Sequence, residues 1–291
     1  MKTLPHSEYG HFMQAKSLLD DLNITVQRAL EEDIGSGDIT AELIPENRLA
    51  EAQVICKEEF AIIAGSPWVN EVFRQIDPSI EIQWLTQDGE QAKAKDIIFT
   101  AKGPARALLS AERSALNFLQ TLSSVATSAH LIAELVKHTQ VKILDTRKTL
   151  PGLRRAQKYA ILQGGCHNHR IGLYDAFLIK ENHISACGGT AKAVKNAKAL
   201  YSDRPVEIEV ESLSQLEEAL NAQADIVMLD NFDLEGIRAA VEQNRSRAKL
   251  EASGGYTNES VVAVAETGVD YISLGALTKD CKAIDFSMLF V

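Results

Sequence analysis

Residues 206–230 read VEIEVESLSQLEEALNAQADIVMLD, and this stretch decides the fold class. Val206 to Val210 alternates apolar and acidic positions, the period of a strand. Ser214 to Ala222 repeats its apolar residues at helical spacing, and Asp225 to Leu229 is a second short apolar run. Strand, helix and strand in immediate succession form a βα unit, whose two strands run parallel because the helix carries the chain back to its starting edge. The same texture extends to both sides. Val141–Leu144, Ala176–Ile179, Lys249–Ala252 and Tyr271–Leu274 supply further strands. Thr190–Tyr201, Leu234–Gln243 and Asn258–Thr267 supply helices between them. Six units are visible, fewer than the eight of a closed barrel. An incomplete barrel and a doubly wound open sheet both fit this count. No GxGxxG follows a strand, which weighs against a dinucleotide-binding fold.

Ahead of this array the pattern differs. Residues 11 to 33 read as helix, and Glu32 to Thr40 breaks it with Gly35 and Gly37. Short strands are expected at Ala52–Lys57, Phe60–Ala64, Glu81–Leu85 and Ile97–Lys102, with a helix over Trp68–Gln75. Pro104 opens a long helix carrying an apolar stripe from Leu108 to Leu135. The expectation is an α/β chain in two parts. An N-terminal α+β domain spans 1–115, ending in a helix that runs to about 137, and a parallel catalytic domain spans 116–279. The tail 280–291 is expected to pack back on the first part. Arg113 falls on the same side of the long helix as Leu109 and Leu116, so it must reach water, an acid or a ligand.

Charge narrows the function. The chain carries a formal charge of -10, yet from Thr146 to Tyr174 it has no Asp or Glu. That span holds Arg147, Lys148, Arg154, Arg155, Lys158 and Arg170, with His167 and His169. Acidity overall argues against nucleic acid, whose binders need a broad basic face. A small polyanion suits the local cations better. Arg154, Arg155 and Lys158 read as the wet face of a helix. Arg147, Lys148, His169 and Arg170 lie beside a strand end or a Gly pair and read as site residues. Residues 114–133 contain no charge, but nine of the twenty are Ser, Thr, Asn, Gln or His, too polar for a membrane span. The first eight residues lack the apolar core of a signal peptide, and the four cysteines form no CxxC, which suits a cytoplasmic protein.

The strand ends carry the chemistry, because in βα barrels the site forms on that face. The first strand ends at Asp145, with Arg147 and Lys148 following, and the second at Lys180. The third ends at Glu211, whose alternation with Glu207 and Glu209 places three acids on one face, and the fourth at Asp230. The fifth ends in Ser253-Gly254-Gly255, and after Ser273 the sixth reaches Gly275. Glycine ends expose backbone N–H groups that suit a phosphate. The acids suit Mg²⁺ held through its waters. Cys166-His167-Asn168-His169 lacks zinc-finger spacing, and Cys166 as nucleophile is an equally weak reading. A Schiff base on Lys148 or Lys180 is the strongest non-phosphate alternative.

DTRKTLPGLR (145–154), NHRIGL (168–173), LIKENH (178–183), MLDNF (228–232) and EASGG (251–255) together resemble the quinolinate phosphoribosyltransferases. The likeness covers essentially the whole chain, including EDIGSGDIT from Glu32. It implies an open α/β barrel of six or seven strands behind an N-terminal α+β domain. It implies transfer of phosphoribosyl from phosphoribosyl pyrophosphate to quinolinate, releasing pyrophosphate and CO₂ and giving nicotinate mononucleotide for NAD synthesis. It implies a homodimer in which Arg113 reaches the neighbouring subunit's site. Arg147, Lys148, His169 and Arg170 match groups around the quinolinate carboxylates. Lys180, Glu211 and Asp230 match groups facing the phosphoribosyl moiety, with Lys148, Lys180, Glu211 and Asp230 as the catalytic set. Ser253, Gly254, Gly255, Ser273 and Gly275 match the 5′-phosphate loops. Mg²⁺ is expected mainly on the substrate diphosphate, with Glu211 and Asp230 as candidate ligands. No organic cofactor is expected.

Overall fold

The computed structural model describes residues 15–291. Residues 11–14 of the expected first helix lie outside the described residues. The chain divides into two compact units. In chain order the first unit begins with α1 (Leu22–Ile34), β1 (Leu49–Cys56), β2 (Ala61–Ile62), α2 (Ser66–Ile76), β3 (Glu81–Trp84), β4 (Gln91–Ala92) and β5 (Ile97–Pro104). The long helix α3 (Ala105–Val136) begins here and ends in the second unit. The second unit continues with β6 (Lys142–Leu144). After it, α4 (Arg154–Gln163) returns to the first unit. The rest of the second unit is β7 (Phe177–Ile179), α5 (Glu181–Cys187), α6 (Thr190–Leu200), β8 (Val206–Val210), α7 (Leu213–Asn221), β9 (Ile226–Asp230), α8 (Leu234–Asn244), β10 (Lys249–Ser253), α9 (Asn258–Ala265) and β11 (Tyr271–Ser273). Then α10 (Ala276–Lys279) and β12 (Phe286–Phe290) end the chain.

The first unit holds a four-stranded antiparallel sheet in the order β12-β1-β5-β3. Phe286 to Phe290 runs antiparallel to β1, with Val54 opposite Met288. The start of α2 shows local chemistry setting geometry. Gly65 precedes it at φ +116, Pro67 follows, and the Asp88 carboxylate accepts the Gly65 and Ser66 N–H groups at 3.1 Å. An acid there satisfies orphan donors and meets the positive end of the helix dipole. Trp68, Val69, Val72 and Phe73 bury one face of α2, and Phe73 meets Phe99 edge-on at 6.1 Å. Each such apolar side chain contributes roughly 1.5–3 kcal/mol when fully buried.

By packing, 149–165 and the tail 277–291 belong with the first unit. Helix α4 departs from its expected wet face. Lys158 is fully buried, and Arg155 pairs with Asp20 at 3.2 Å. Residue spacing cannot reveal this, since a buried cation depends on partners from elsewhere in the chain.

The second unit is built on one parallel sheet, order β6-β11-β10-β9-β8-β7. His167 adds an isolated parallel bridge beside Leu144, outside β6. The sheet has edges at β7 and at this bridge, so the barrel is open. Val206, Ile208, Val210, Val227, Leu229, Leu250, Ala252 and Ile272 form its buried layer. Among the described residues no helix is long and apolar enough to cross a membrane.

Candidate active site

Six parallel strands in register present their C-terminal ends together. Ser253 stands opposite Asp230 on one side and Ser273 on the other. There the second unit encloses a cavity of about 250 Å³. Its cations are Arg147 and Lys148 beyond β6, Arg170 from the loop before β7, and Lys180 at the end of β7. Ser253 and Ser273 line another part of it, with Leu178 and Met228 as apolar wall. Asp230, Gly254, Gly255 and Gly275 follow strand ends on the same rim. Arg113 is exposed on α3, in the first unit.

Arg170 is buried, and its Nη1 donates to the Ala176 carbonyl at 3.1 Å. Burial, reinforced by the charge of Arg147, pulls its pKa below the usual guanidinium value. Two arginines crowded this way favour an anion between them, since bidentate carboxylate or phosphate contacts relieve the repulsion. A turn fixes the loop. Asp175 accepts the N–H groups of Ile171 at 2.6 Å and Gly172 at 3.0 Å. Fully buried Asp145 accepts the His169 N–H at 2.8 Å and Asn168 Nδ2 at 2.7 Å.

The structure separates the three acids of β8 by depth. Glu207 is buried, Glu209 half-buried, and Glu211 exposed just beyond the strand. Lys180 Nζ pairs with Glu209. Glu211 instead donates its backbone N–H to Gln215 Oε1 at 2.7 Å. The acid that meets the strand-end lysine is therefore Glu209. Register held the missing signal: Ile179 pairs with Ile208, so the next residues, 180 and 209, come side by side.

Both ring nitrogens of His169 lie against protein groups. Its Nδ1 accepts the Arg170 N–H at 2.8 Å, and its Nε2 lies 3.0 Å from Glu207 and 3.5 Å from Glu251. Glu251 had no assigned role in the sequence, because an isolated acid on an apolar strand carries no pattern, and Glu207 was read only as one of three acids sharing a face. Cys166 is buried, and burial with the Asp145 charge pushes its thiol up to about 12. It cannot act as a thiolate nucleophile near neutral pH.

Close approach at the glycines fits a crowded floor. A Cβ at Gly275 would stand 2.8 Å from Lys148 Cδ, and one at Gly254 would stand 3.1 Å from the Tyr256 ring. Two larger cavities lack this character. One of about 690 Å³ lies at the opposite ends of β9, β10 and β11. Its cations are already neutralised, Lys198 by Asp225 at 3.1 Å, Lys249 by Asp270 at 2.6 Å and Arg247 by Glu217 at 2.7 Å. The other, about 320 Å³, is mainly apolar and lies between β7 and α6.

Comparison with known proteins gives the same picture over the whole chain. Residues 38–123 match the quinolinate phosphoribosyl transferase N-terminal domain, and residues 125–289 match the C-terminal domain of the same family. A probable nicotinate-nucleotide pyrophosphorylase [carboxylating] of Bacillus subtilis is 43% identical over 258 residues, covering 88% of this chain and 89% of its own. A relative with the name nicotinate-nucleotide pyrophosphorylase [carboxylating] from Mycobacterium leprae is 38% identical over 91% of this chain and 95% of its own. The solved nicotinate-nucleotide pyrophosphorylase of Francisella tularensis superposes with a TM-score of 0.90 at 46% identity, covering 100% of both chains. With both domains matched, and with close relatives along nearly its full length, the chain belongs to the quinolinate phosphoribosyltransferase family.

Proposed function

We propose that this protein transfers phosphoribosyl from phosphoribosyl pyrophosphate to the ring nitrogen of quinolinate, with loss of pyrophosphate and CO₂, yielding nicotinate mononucleotide. The observation that carries the reading is the convergence of Arg147, Lys148, Arg170 and Lys180 on one small cavity edged by Ser253 and Ser273. Arginine and lysine at one rim suit two adjacent carboxylates. The Ser253-Gly254-Gly255 turn ahead of α9, with Gly275 beside it, suits the 5′-phosphate.

Departure of pyrophosphate leaves positive character on the ribose ring. The Glu209 and Asp230 carboxylates stabilise that charge electrostatically as it develops, and the Lys180–Glu209 pair holds Glu209 in place. Quaternising the ring nitrogen then provides the electron sink for decarboxylation, while the arginines hold the ring in orientation. Mg²⁺ bound to the diphosphate would neutralise the leaving group. Asp230 fits a role toward that ion: its carboxylate is half-buried at the rim, with Asn231 Nδ2 donating to one oxygen at 2.9 Å. Glu211 is less suited, since it lies outside the strand and exposed.

A homodimer accompanies this reading, with Arg113 supplied to the partner's site. Its support is an exposed arginine on an otherwise largely apolar helix segment. The reading also carries a cytoplasmic location, which four thiols without a disulfide support. The test is direct: incubate protein, quinolinate, phosphoribosyl pyrophosphate and Mg²⁺, and measure CO₂ and nicotinate mononucleotide. Turnover of nicotinate in place of quinolinate, without CO₂, would redirect the assignment.

A further inference from the structure

The floor of the cavity holds a group that the transfer step does not use. His169, Glu207 and Glu251 have their ring nitrogen and carboxylate oxygens within 4.8 Å of one another. They are 6%, 1% and 1% exposed. Because Nδ1 accepts the Arg170 N–H, a neutral imidazole here carries its proton on Nε2, the nitrogen that lies 3.0 Å from Glu207 and 3.5 Å from Glu251. Two carboxylates this close, and this far from water, do not both ionise. Burial and the charge of Glu207 hold Glu251 well above the usual carboxylate range, while His169 and Ser273 pull the other way. A proton is thus retained between the acids at neutral pH. His169 and Glu251 both line the cavity, so the cluster opens onto the site where the ring would lie.

We propose that His169, Glu207 and Glu251 form a proton store, which takes up a proton as quinolinate binds and gives one to the ring carbon that loses CO₂. The inference rests on the reaction proposed above. Loss of CO₂ leaves the electron pair of the broken C–C bond on the ring carbon beside the quaternised nitrogen. That pair forms the new C–H bond, the donor's O–H or N–H bond breaks, and the cluster returns to its earlier charge. No oxidant or reductant takes part.

Uptake follows from the charges around the cluster. Beyond β6 stand Asp145, Arg147 and Lys148, and the loop before β7 brings Arg170. Lys180 follows β7, Glu209 lies on β8, and Asp230 ends β9. Before binding, the four cations oppose protonation of the store. A dicarboxylate neutralises them and adds negative potential above the acids, so the affinity for a proton rises.

Titration calorimetry of quinolinate alone, in HEPES and in Tris near neutral pH, reads the protons exchanged without any turnover. The wild-type protein should take up about one-half to one proton per site. Glu251→Gln should abolish that uptake while quinolinate still binds. With phosphoribosyl pyrophosphate added, the same variant should lose about 10²-fold in kcat, with little change in KM. Glu251→Asp should restore part of both effects. Glu207→Gln provides a second reading if the first variant folds poorly, and the wild-type exchange decides alone if neither folds. Absent uptake in the wild type, uptake kept in both variants, or an unchanged kcat in Glu251→Gln would overturn the store. Uptake without any product would instead sink the proposed reaction, and product without uptake would sink only the store.

Discussion

Gly275→Ala isolates the position of Lys148 from the stability of the fold. The new Cβ would stand 2.8 Å from Lys148 Cδ, 3.5 Å from Thr146 Oγ1 and 3.6 Å from Lys148 Nζ. Carbon atoms rest at about 3.5–4.0 Å, so the lysine must retreat by roughly 1 Å. The backbone itself accepts alanine, because Gly275 does not have a positive φ. Lys148 is exposed and its end is flexible, so the retreat costs little in stability, about 0.5 kcal/mol or less. Its cost to catalysis is larger. A misplacement of about 1 Å in a positioning group is worth roughly 10²-fold, which corresponds to about 2.7 kcal/mol in the barrier. The assay pairs kcat/KM for CO₂ release with a thermal melt of the same sample. A fall of about 10²-fold with Tm within about 2 °C of wild type is expected. Full activity in Gly275→Ala, or a loss matched by unfolding, would refute the reasoning.

Three further outcomes follow from the geometry. Gly164→Ala should act on stability instead, because its Cβ would meet Ala126 O at 2.3 Å, Ala129 Cβ at 2.5 Å and the His130 nitrogen at 2.9 Å. Backbone cannot retreat as a lysine can, so a loss of about 3 kcal/mol or more is expected in a denaturant melt. Glu209→Gln should lower kcat/KM by more than about 10-fold, since it leaves the strand-end lysine without its acid, while Glu211→Gln should change it by less than about 3-fold. Equal effects would contradict the assignment by depth. Arg113→Ala and Lys148→Ala, each inactive alone, should together regain about one-quarter of wild-type activity in mixed dimers if the arginine acts across a two-fold interface. No regain would place its action within one chain.

Much of the fold was legible because its signals are local. Alternation over Val206–Val210 and helical spacing over Leu213–Asn221 follow from how a strand or a helix buries one face. Even so, short elements escaped. Strand β4, helix α5 and the tail strand β12 are too brief, or too dependent on distant partners, for periodicity to show. The strand-end cations were legible for a similar reason. Lys180 follows an apolar run directly, Arg147 and Lys148 follow one after Asp145 and Thr146, and parallel strands carry their ends to one rim.

Sequence alone determined that this chain makes parallel βα units behind an α+β domain, and which family it resembles. Tertiary structure decided which acid serves which cation. Glu207, Glu209 and Glu211 are equivalent in pattern, yet one meets an imidazole, the next meets Lys180 and the last meets solvent. It also decided that Lys158 is interior and that Glu251 shares a site with His169. The physical reason is common to all of them. An apolar residue declares its burial by spacing, whereas a charged residue is placed by partners far away in the chain, and those meet only when the sheet sets its register.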